Sequence, residues 1–222
     1  MNIVLLKGHS SKDGGAEMAA GEYKGIGEYE MAGLYIEGVA ERLREIGHTV
    51  TVTSREEAGG ITPTYSAAAA NATDAALAVE FHFNAAANLK ATGTEVICWY
   101  RSSKGEAAAL AAQETLVDWL GNKDRGIVYS APDKASVAAL ERRGKRGDIR
   151  GYNYFVKTRA VALMFEPDFS GSNPDAAIKF GEAVKSGVYA DACADAVNAA
   201  AEAIEQLEAA ERGEKEDGLP QA

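Results

Sequence analysis

The sequence of 222 residues contains three histidines, His9, His48 and His82, so any imidazole-based metal site must draw on these and complete itself with carboxylates. His9 follows on the strand run 2–7, past Gly8, and His82 ends the run that begins at Ala76. Both runs read as strands, and ligands of an open parallel sheet bind at the carboxyl ends of its strands. His48, in Gly47-His48-Thr49-Val50, stands at the entry to a strand on the opposite edge and is assigned to a turn. Two imidazoles at one edge call for a third donor, and Glu28 is best placed, in Gly25-Ile26-Gly27-Glu28-Tyr29-Glu30 at the start of a helix. A carboxylate there also offsets the helix dipole with no metal present. Two imidazoles and one carboxylate would leave the fourth zinc position open for water, which is the arrangement of catalytic sites. Glu166 closes the apolar strand Ala160 to Phe165 and is followed by Pro167. Solvation alone does not explain a carboxylate ending a buried strand, so Glu166 is the candidate general base.

These residues must be positioned by strands and helices in alternation. Short apolar runs bounded by turn residues fall at 2–7, 48–53, 76–82, 93–100 and 160–166. Between the first two, Met31, Leu34, Tyr35, Val39, Leu43 and Ile46 recur at steps of three and four before Gly47, which predicts a helix over 29–46. Alanine-rich stretches of the same spacing predict helices near 64–74, 105–120 and 174–211. The pattern predicts one α/β domain over 1–211, a doubly wound, mostly parallel sheet with helices on both faces. Residues 212–222 are acidic and poor in apolar side chains, and read as a disordered tail. The segment Gly126 to Val156 shows no clean period. Within it Arg142, Arg143, Lys145, Arg146 and Arg150 oppose only Asp148, and the segment reads either as a solvated basic loop or as a lid over a ligand.

Composition narrows the function. A hydrophobic share of 46% and a charged share of 25% match a globular chain. The 23 basic against 33 acidic side chains give a net charge of −10, which argues against nucleic acid as a partner. Cys98 and Cys193 are too few and too far apart for a disulfide scaffold or a CxxC site. No apolar stretch is long enough for a membrane span, and the run at 3–6 is too short for a signal-peptide core. The expectation is synthesis in the cytoplasm, with a monomer as the default state.

Taken in order, the motifs resemble those of the zinc-dependent N-acetylmuramoyl-L-alanine amidases of bacterial cell-wall hydrolases and phage endolysins. Residues 8–16, GHSSKDGGA, are similar to the opening motif, with His9 as ligand and Asp13, Gly15 and Ala16 at matching positions. Ser10 and Ser11 replace the usual glycines, and Gly14 the usual proline. Glu28, 19 residues before Gly47, is similar to the second ligand, although Ala32 stands where an asparagine is usual. Residues 80–96, EFHFNAAANLKATGTEV, resemble the third motif, with His82 as ligand and Asn84 beside it. DRGIV at 124–128 and AVALMFEPDFSGSN at 160–173 resemble the remaining two, with Glu166 at the catalytic glutamate and Asp168 where a glycine is usual.

The resemblance implies one zinc ion held by His9, Glu28 and His82, a metal-bound water as nucleophile and Glu166 as base. It implies peptidoglycan as partner, cleaved between N-acetylmuramic acid and L-alanine, and work on the cell wall after release, by holin-type export if the source is a phage. Stem peptides carry carboxylates, so Arg142, Arg143 and Arg146, with Asn84, are the expected substrate contacts. The competing readings are a zinc carboxypeptidase or endopeptidase cutting within the stem peptide, and a peptidoglycan-binding or virion module without chemistry. A serine hydrolase using Ser10 or Ser11 is disfavoured, since neither sits in a GxSxG elbow.

Overall fold

The computed structural model describes residues 1–213. Its elements in chain order are β1 (Asn2–Lys7), α1 (Glu28–Ile46), β2 (Thr49–Ser54), α2 (Pro63–Asn71), β3 (Leu77–Phe81), β4 (Thr94–Trp99), α3 (Ser103–Leu120), β5 (Asp124–Ser130), α4 (Lys134–Glu141), β6 (Gly147–Asp148), α5 (Tyr152–Lys157), β7 (Val161–Glu166), α6 (Pro174–Ser186) and α7 (Val188–Arg212). The strands form one sheet in the order β2-β1-β3-β7-β4-β5-β6. Every neighbouring pair is parallel except β4 with β7.

Alternation along each strand divides the side chains between two faces. Ile3, Leu5, Val79, Phe81, Val96, Cys98, Leu163 and Phe165 pack with the apolar stripes of α1, α3, α6 and α7 into the larger core. Val4, Leu6, Ala78, Ile97, Val128, Ala162 and Met164 pack with the alanines of α2 and with Tyr154 and Phe155 of α5 into a smaller one. Helices therefore cover both faces, and the doubly wound, mostly parallel expectation holds. On the thinner face α2 and α5 are short, which leaves the sheet rim open above β1, β3 and β7.

The segment 126–156 departs from the reading of an aperiodic loop. It begins inside β5 and carries α4, β6 and α5. Strand β5 was hidden by its polar start, Asp124-Arg125, and by Gly126 at φ 71°. The helical run 174–211 is two helices, because Gly187 takes φ 82° as the C-cap of α6 and the next helix starts anew at Val188. Helix α7 continues to Arg212, one residue past the expected domain end. The rest of the tail expected to be disordered, 214–222, lies outside the described residues.

Candidate metal centre and catalytic cleft

β1 leads into Gly8 and His9, and His9 has φ 60°, the left-handed region, which turns the chain sharply at the strand exit. The turn closes through the Ser10 N–H to the Asp13 carbonyl at 2.9 Å. Residues 14–27 then cross the rim to α1. Glu28, the first residue of α1, is buried, and its carboxylate is fixed by two backbone donors: Ala16 N–H to Oε1 at 2.8 Å and Phe83 N–H to Oε2 at 3.2 Å. His82 follows β3 directly, its own N–H bonded to the Phe165 carbonyl of β7 at 3.0 Å.

These anchors converge. His82 Nδ1 lies 2.9 Å from Glu28 Oε2, and His9 Nε2 lies 3.4 Å from Glu28 Oε1. One donor atom from each of His9, Glu28 and His82 falls within 4.8 Å of the others, a spacing that a single ion can bridge. Gly15 makes the approach possible. It has φ 82°, and a Cβ there would stand 2.6 Å from His9 Cδ2 and 2.7 Å from Glu28 Oε1. Gly8 does the same for His82, whose Cε1 a Cβ would meet at 2.6 Å.

The donor set fits a divalent cation on three grounds. Two imidazoles and a carboxylate are the ligand chemistry of catalytic zinc. His9 Nδ1 and, in the same cleft, Glu166 Oε2 are buried without hydrogen-bond partners, which is costly in a site with no further ligand. The cluster also favours positive charge at its centre: burial lowers the pKa of His82, but the contact with Glu28 and the nearby charge of Glu80 raise it to about 10. Glu28 is held below the usual carboxylate range, because His82, His9 and the Ala16 N–H outweigh its burial. His9 is lowered, chiefly by burial.

Glu166 ends β7 in the same cleft, which has a volume of about 410 Å³ and is lined also by Asn84, Arg150 and Met164. Burial pushes its carboxyl up to about 7, with His82 and Arg150 pulling against that rise. The Arg150 guanidinium donates to Asn84 Oδ1 at 2.8 Å and to Glu166 Oε1 at 3.4 Å. After Glu166 the turn is held by Asp168, whose Oδ1 accepts from Thr92 Oγ1 at 3.0 Å and from the N–H groups of Gly93 at 2.9 Å and Phe169 at 2.8 Å. A side chain in place of the usual glycine thus stitches the turn to the loop before β4.

His9, Glu28, His82, Asn84 and Glu166 therefore share one cleft. The arginines divide differently. Arg142 and Arg143 are exposed at the carboxyl end of α4, and Arg146 donates to Glu95 Oε1 at 2.7 Å and to the Arg125 carbonyl at 2.6 Å. None of the three lines the cleft. The arginines that do are Arg55, which the sequence did not single out, and Arg150, which stood in the sequence only as part of the local charge count. His48 serves the turn assigned to it, with Nε2 2.9 Å from Asn198 Oδ1. Ser10 Oγ accepts the Asp13 N–H and Ser11 Oγ donates to Glu56, and neither serine lines the cleft. Cys98 and Cys193 are free and buried, their thiols pushed up to about 12 chiefly by burial.

The sequence matches the profile of the family described as N-acetylmuramoyl-L-alanine amidase over residues 3–200. No curated protein matches it in sequence. Among solved structures it resembles an N-acetylmuramoyl-L-alanine amidase from Clostridium difficile 630, at 18% identity and a TM-score of 0.64 over 96% of this chain and 98% of that one. It resembles the catalytic domain of the CD27L endolysin targeting Clostridia difficile at 24% identity and a TM-score of 0.62, over 89% and 96% of the two chains. The catalytic domain of CwlV, an amidase from Bacillus (Paenibacillus) polymyxa var. colistinus, matches at 19% identity and a TM-score of 0.65, over 93% and 98%.

Proposed function

The chain belongs to the N-acetylmuramoyl-L-alanine amidase family, enzymes of peptidoglycan amide hydrolysis, and from that premise we propose that it cleaves the bond between N-acetylmuramic acid and the L-alanine of the stem peptide, with zinc as cofactor. The observation that carries the reading is the convergence of His9, Glu28 and His82 donors within 4.8 Å, in a cleft shared with Glu166. His9, Glu28 and His82 would hold the ion. Bound there, a zinc ion supplies Lewis-acid polarisation of the scissile carbonyl and lowers the pKa of water at the site.

The remaining work falls to side chains of this chain. Glu166 takes the proton of the attacking water on its unpartnered Oε2 and returns it to the leaving amine, a role for which a carboxyl raised towards neutrality is suited. Arg150 holds the other oxygen of Glu166 and, through Asn84, ties the base to the loop after His82. The Glu28 carboxylate is pinned by Ala16 and Phe83 before any ligand arrives, so little reorganisation is needed on binding. On this reading the protein acts on the cell wall after release from the cytoplasm where it is made, during lysis if its source is a phage.

Digestion of purified peptidoglycan with and without a chelator, followed by mass spectrometry of the products, tests the proposal. Intact stem peptides with a free alanine amine, lost on chelation and restored by zinc, are expected. Shortened stems would assign the activity to a peptidase instead, and turnover unaffected by chelation would remove the metal.

A further inference from the structure

We propose that Glu80 is a positioning residue for His82, accepting the Nε2 proton of the imidazole so that Nδ1 is presented to a divalent cation. This rests on the metal reading above. Glu80 lies in the middle of β3, and alternation directs it to the thinner face, with Ala78. It is completely buried. A lone carboxylate cannot stay charged in such a place, and Glu80 does so because Arg55, itself buried, and Ser66 of α2 surround it.

The way they surround it is informative. Arg55 Nε and Nη2 donate at 3.1 and 2.9 Å, and Ser66 Oγ at 2.7 Å, all to the same oxygen, Oε1. A guanidinium usually engages a carboxylate through both oxygens. Here Oε2 is left without a hydrogen bond and faces His82 Nε2, which also lacks one, at 3.5 Å. Two buried, unpartnered polar atoms therefore confront each other at a distance that a small tilt of either side chain closes to a hydrogen bond.

The chemistry of imidazole gives that confrontation a direction. A neutral imidazole carries one proton, and His82 Nδ1 is the nitrogen turned toward Glu28 Oε2. A cation shared with Glu28 needs the Nδ1 lone pair, so the proton must sit on Nε2. Among the described residues, Glu80 Oε2 is the acceptor at hand there. On the other side the ring lies so close to the Gly8 backbone that a Cβ there would meet Cε1 at 2.6 Å and Nδ1 at 2.7 Å. A carboxylate–histidine–metal relay of this kind fixes the tautomer and strengthens the ligand.

The test uses chelator-stripped full-length protein reloaded with Zn²⁺, its affinity read by competition with a chromophoric chelator. Glu80→Gln is expected to weaken zinc binding by about 10- to 100-fold, because the amide presents a donor or a weaker acceptor to Nε2. Arg55→Met combined with Glu80→Gln removes both buried charges together. If Glu80 merely balances Arg55, the double variant regains the wild-type affinity and the proposal falls; if Glu80 orients His82, the affinity stays low. An affinity of Glu80→Gln within threefold of wild type would equally overturn it. Long-range proton–nitrogen spectra of zinc-loaded wild-type protein need no variant to fold: a proton on His82 Nε2 is expected, and one on Nδ1 refutes the assignment. Failure of the wild type to bind zinc would instead remove the metal reading on which this inference stands.

Discussion

The two halves of the sheet meet the same rim from opposite directions. Strands β1, β3 and β7 reach it with their carboxyl ends and deliver His9, His82 and Glu166, while β4 and β5 begin there and contribute Glu95 and Arg125. Their charges are treated differently. On the first half His9 Nδ1, His82 Nε2 and Glu166 Oε2 are left buried without hydrogen bonds. On the second, Glu95 pairs with Arg125 at 2.5 Å, Arg146 at 2.7 Å and Arg150 at 3.3 Å. Glu95 and Glu166 are register partners across the antiparallel seam. One side of the seam keeps unsatisfied atoms, His82 Nε2 facing Glu80 and Glu166 Oε2 in the cleft, and the other saturates its own, which is what a rigid support for the first requires.

If that division is real, substitutions on the first half remove chemistry and leave stability, and those on the second do the reverse. The largest effect is expected at Glu166. Glu166→Gln keeps the volume and removes the base, so turnover should fall by about 10²- to 10⁴-fold while zinc affinity and thermal unfolding stay near wild type. Steady-state kinetics beside a metal titration would show it. A variant that retained most of its turnover would transfer the base to another group.

Next comes Glu95, and here pH supplies the discriminator. Burial raises its carboxyl, but the Arg125 and Arg146 hydrogen bonds and the charges of Arg146 and Arg150 prevail and hold it at about 2, against an ordinary 4.5. A group depressed on folding stabilises the native state above its unfolded value and loses that contribution as pH falls through its folded one. Screened by solvent around the half-exposed arginines, the cluster should therefore contribute about 1–2 kcal/mol at neutral pH, fading between roughly pH 4.5 and 2. Denaturant unfolding of wild type and Glu95→Gln across this range should show a gap that narrows with acid. A gap that stays constant would mean that the arginines hold the fold without its charge.

Gly15 is a smaller case with its own control. Ala at this position forces a side chain to φ 82° and brings its Cβ to 2.6 Å from His9 and 2.7 Å from Glu28. We expect a loss of about 1–3 kcal/mol in stability and roughly tenfold in zinc affinity, or about 1.4 kcal/mol. Gly25 has nearly the same φ, 83°, but nothing within 4 Å of its Cβ position. Gly25→Ala should show the backbone cost alone. Equal zinc affinities in the two variants would deny that Gly15 shapes the donor set.

How much of this was legible in the sequence follows the same divide. His9, His82 and Glu166 could be found because residues at or just past the end of an apolar run must lie at the strand exit, whatever the rest of the chain does. Glu28 could be found because it stands at the start of the helix whose period begins at Met31, and because its distance from Gly47 is similar to that of the family's second ligand. The second half is made of contacts between residues 30 to 55 positions apart, Glu95 with Arg125, Arg146 and Arg150, and no local period encodes them. Glu80 had a readable signal, a charge inside an otherwise apolar strand, which demands a buried partner. The split at Gly187 was readable too, as a glycine inside an alanine-rich helical run. Helix α5, six residues long, was too short for any period to emerge.

The smallest expected effect concerns the arginines for which the sequence suggested the largest role in substrate binding. Arg142 is the C-cap of α4 and Arg143 follows it, both exposed. Their charge meets the negative end of a two-turn helix, so reversing both to glutamate should cost about 0.5–1 kcal/mol in stability. Turnover on peptidoglycan should change less than twofold, because neither residue lines the cleft and exposed charges are screened within about 8–10 Å at ordinary salt. Reversal at Arg146 alone should be worse, since it would face Glu95 with a like charge inside the ion cluster. A tenfold fall in turnover from the double reversal, with stability unchanged, would show that the polymer extends past the cleft and is held by α4. The second half of the molecule would then be part of the substrate site as well as its support.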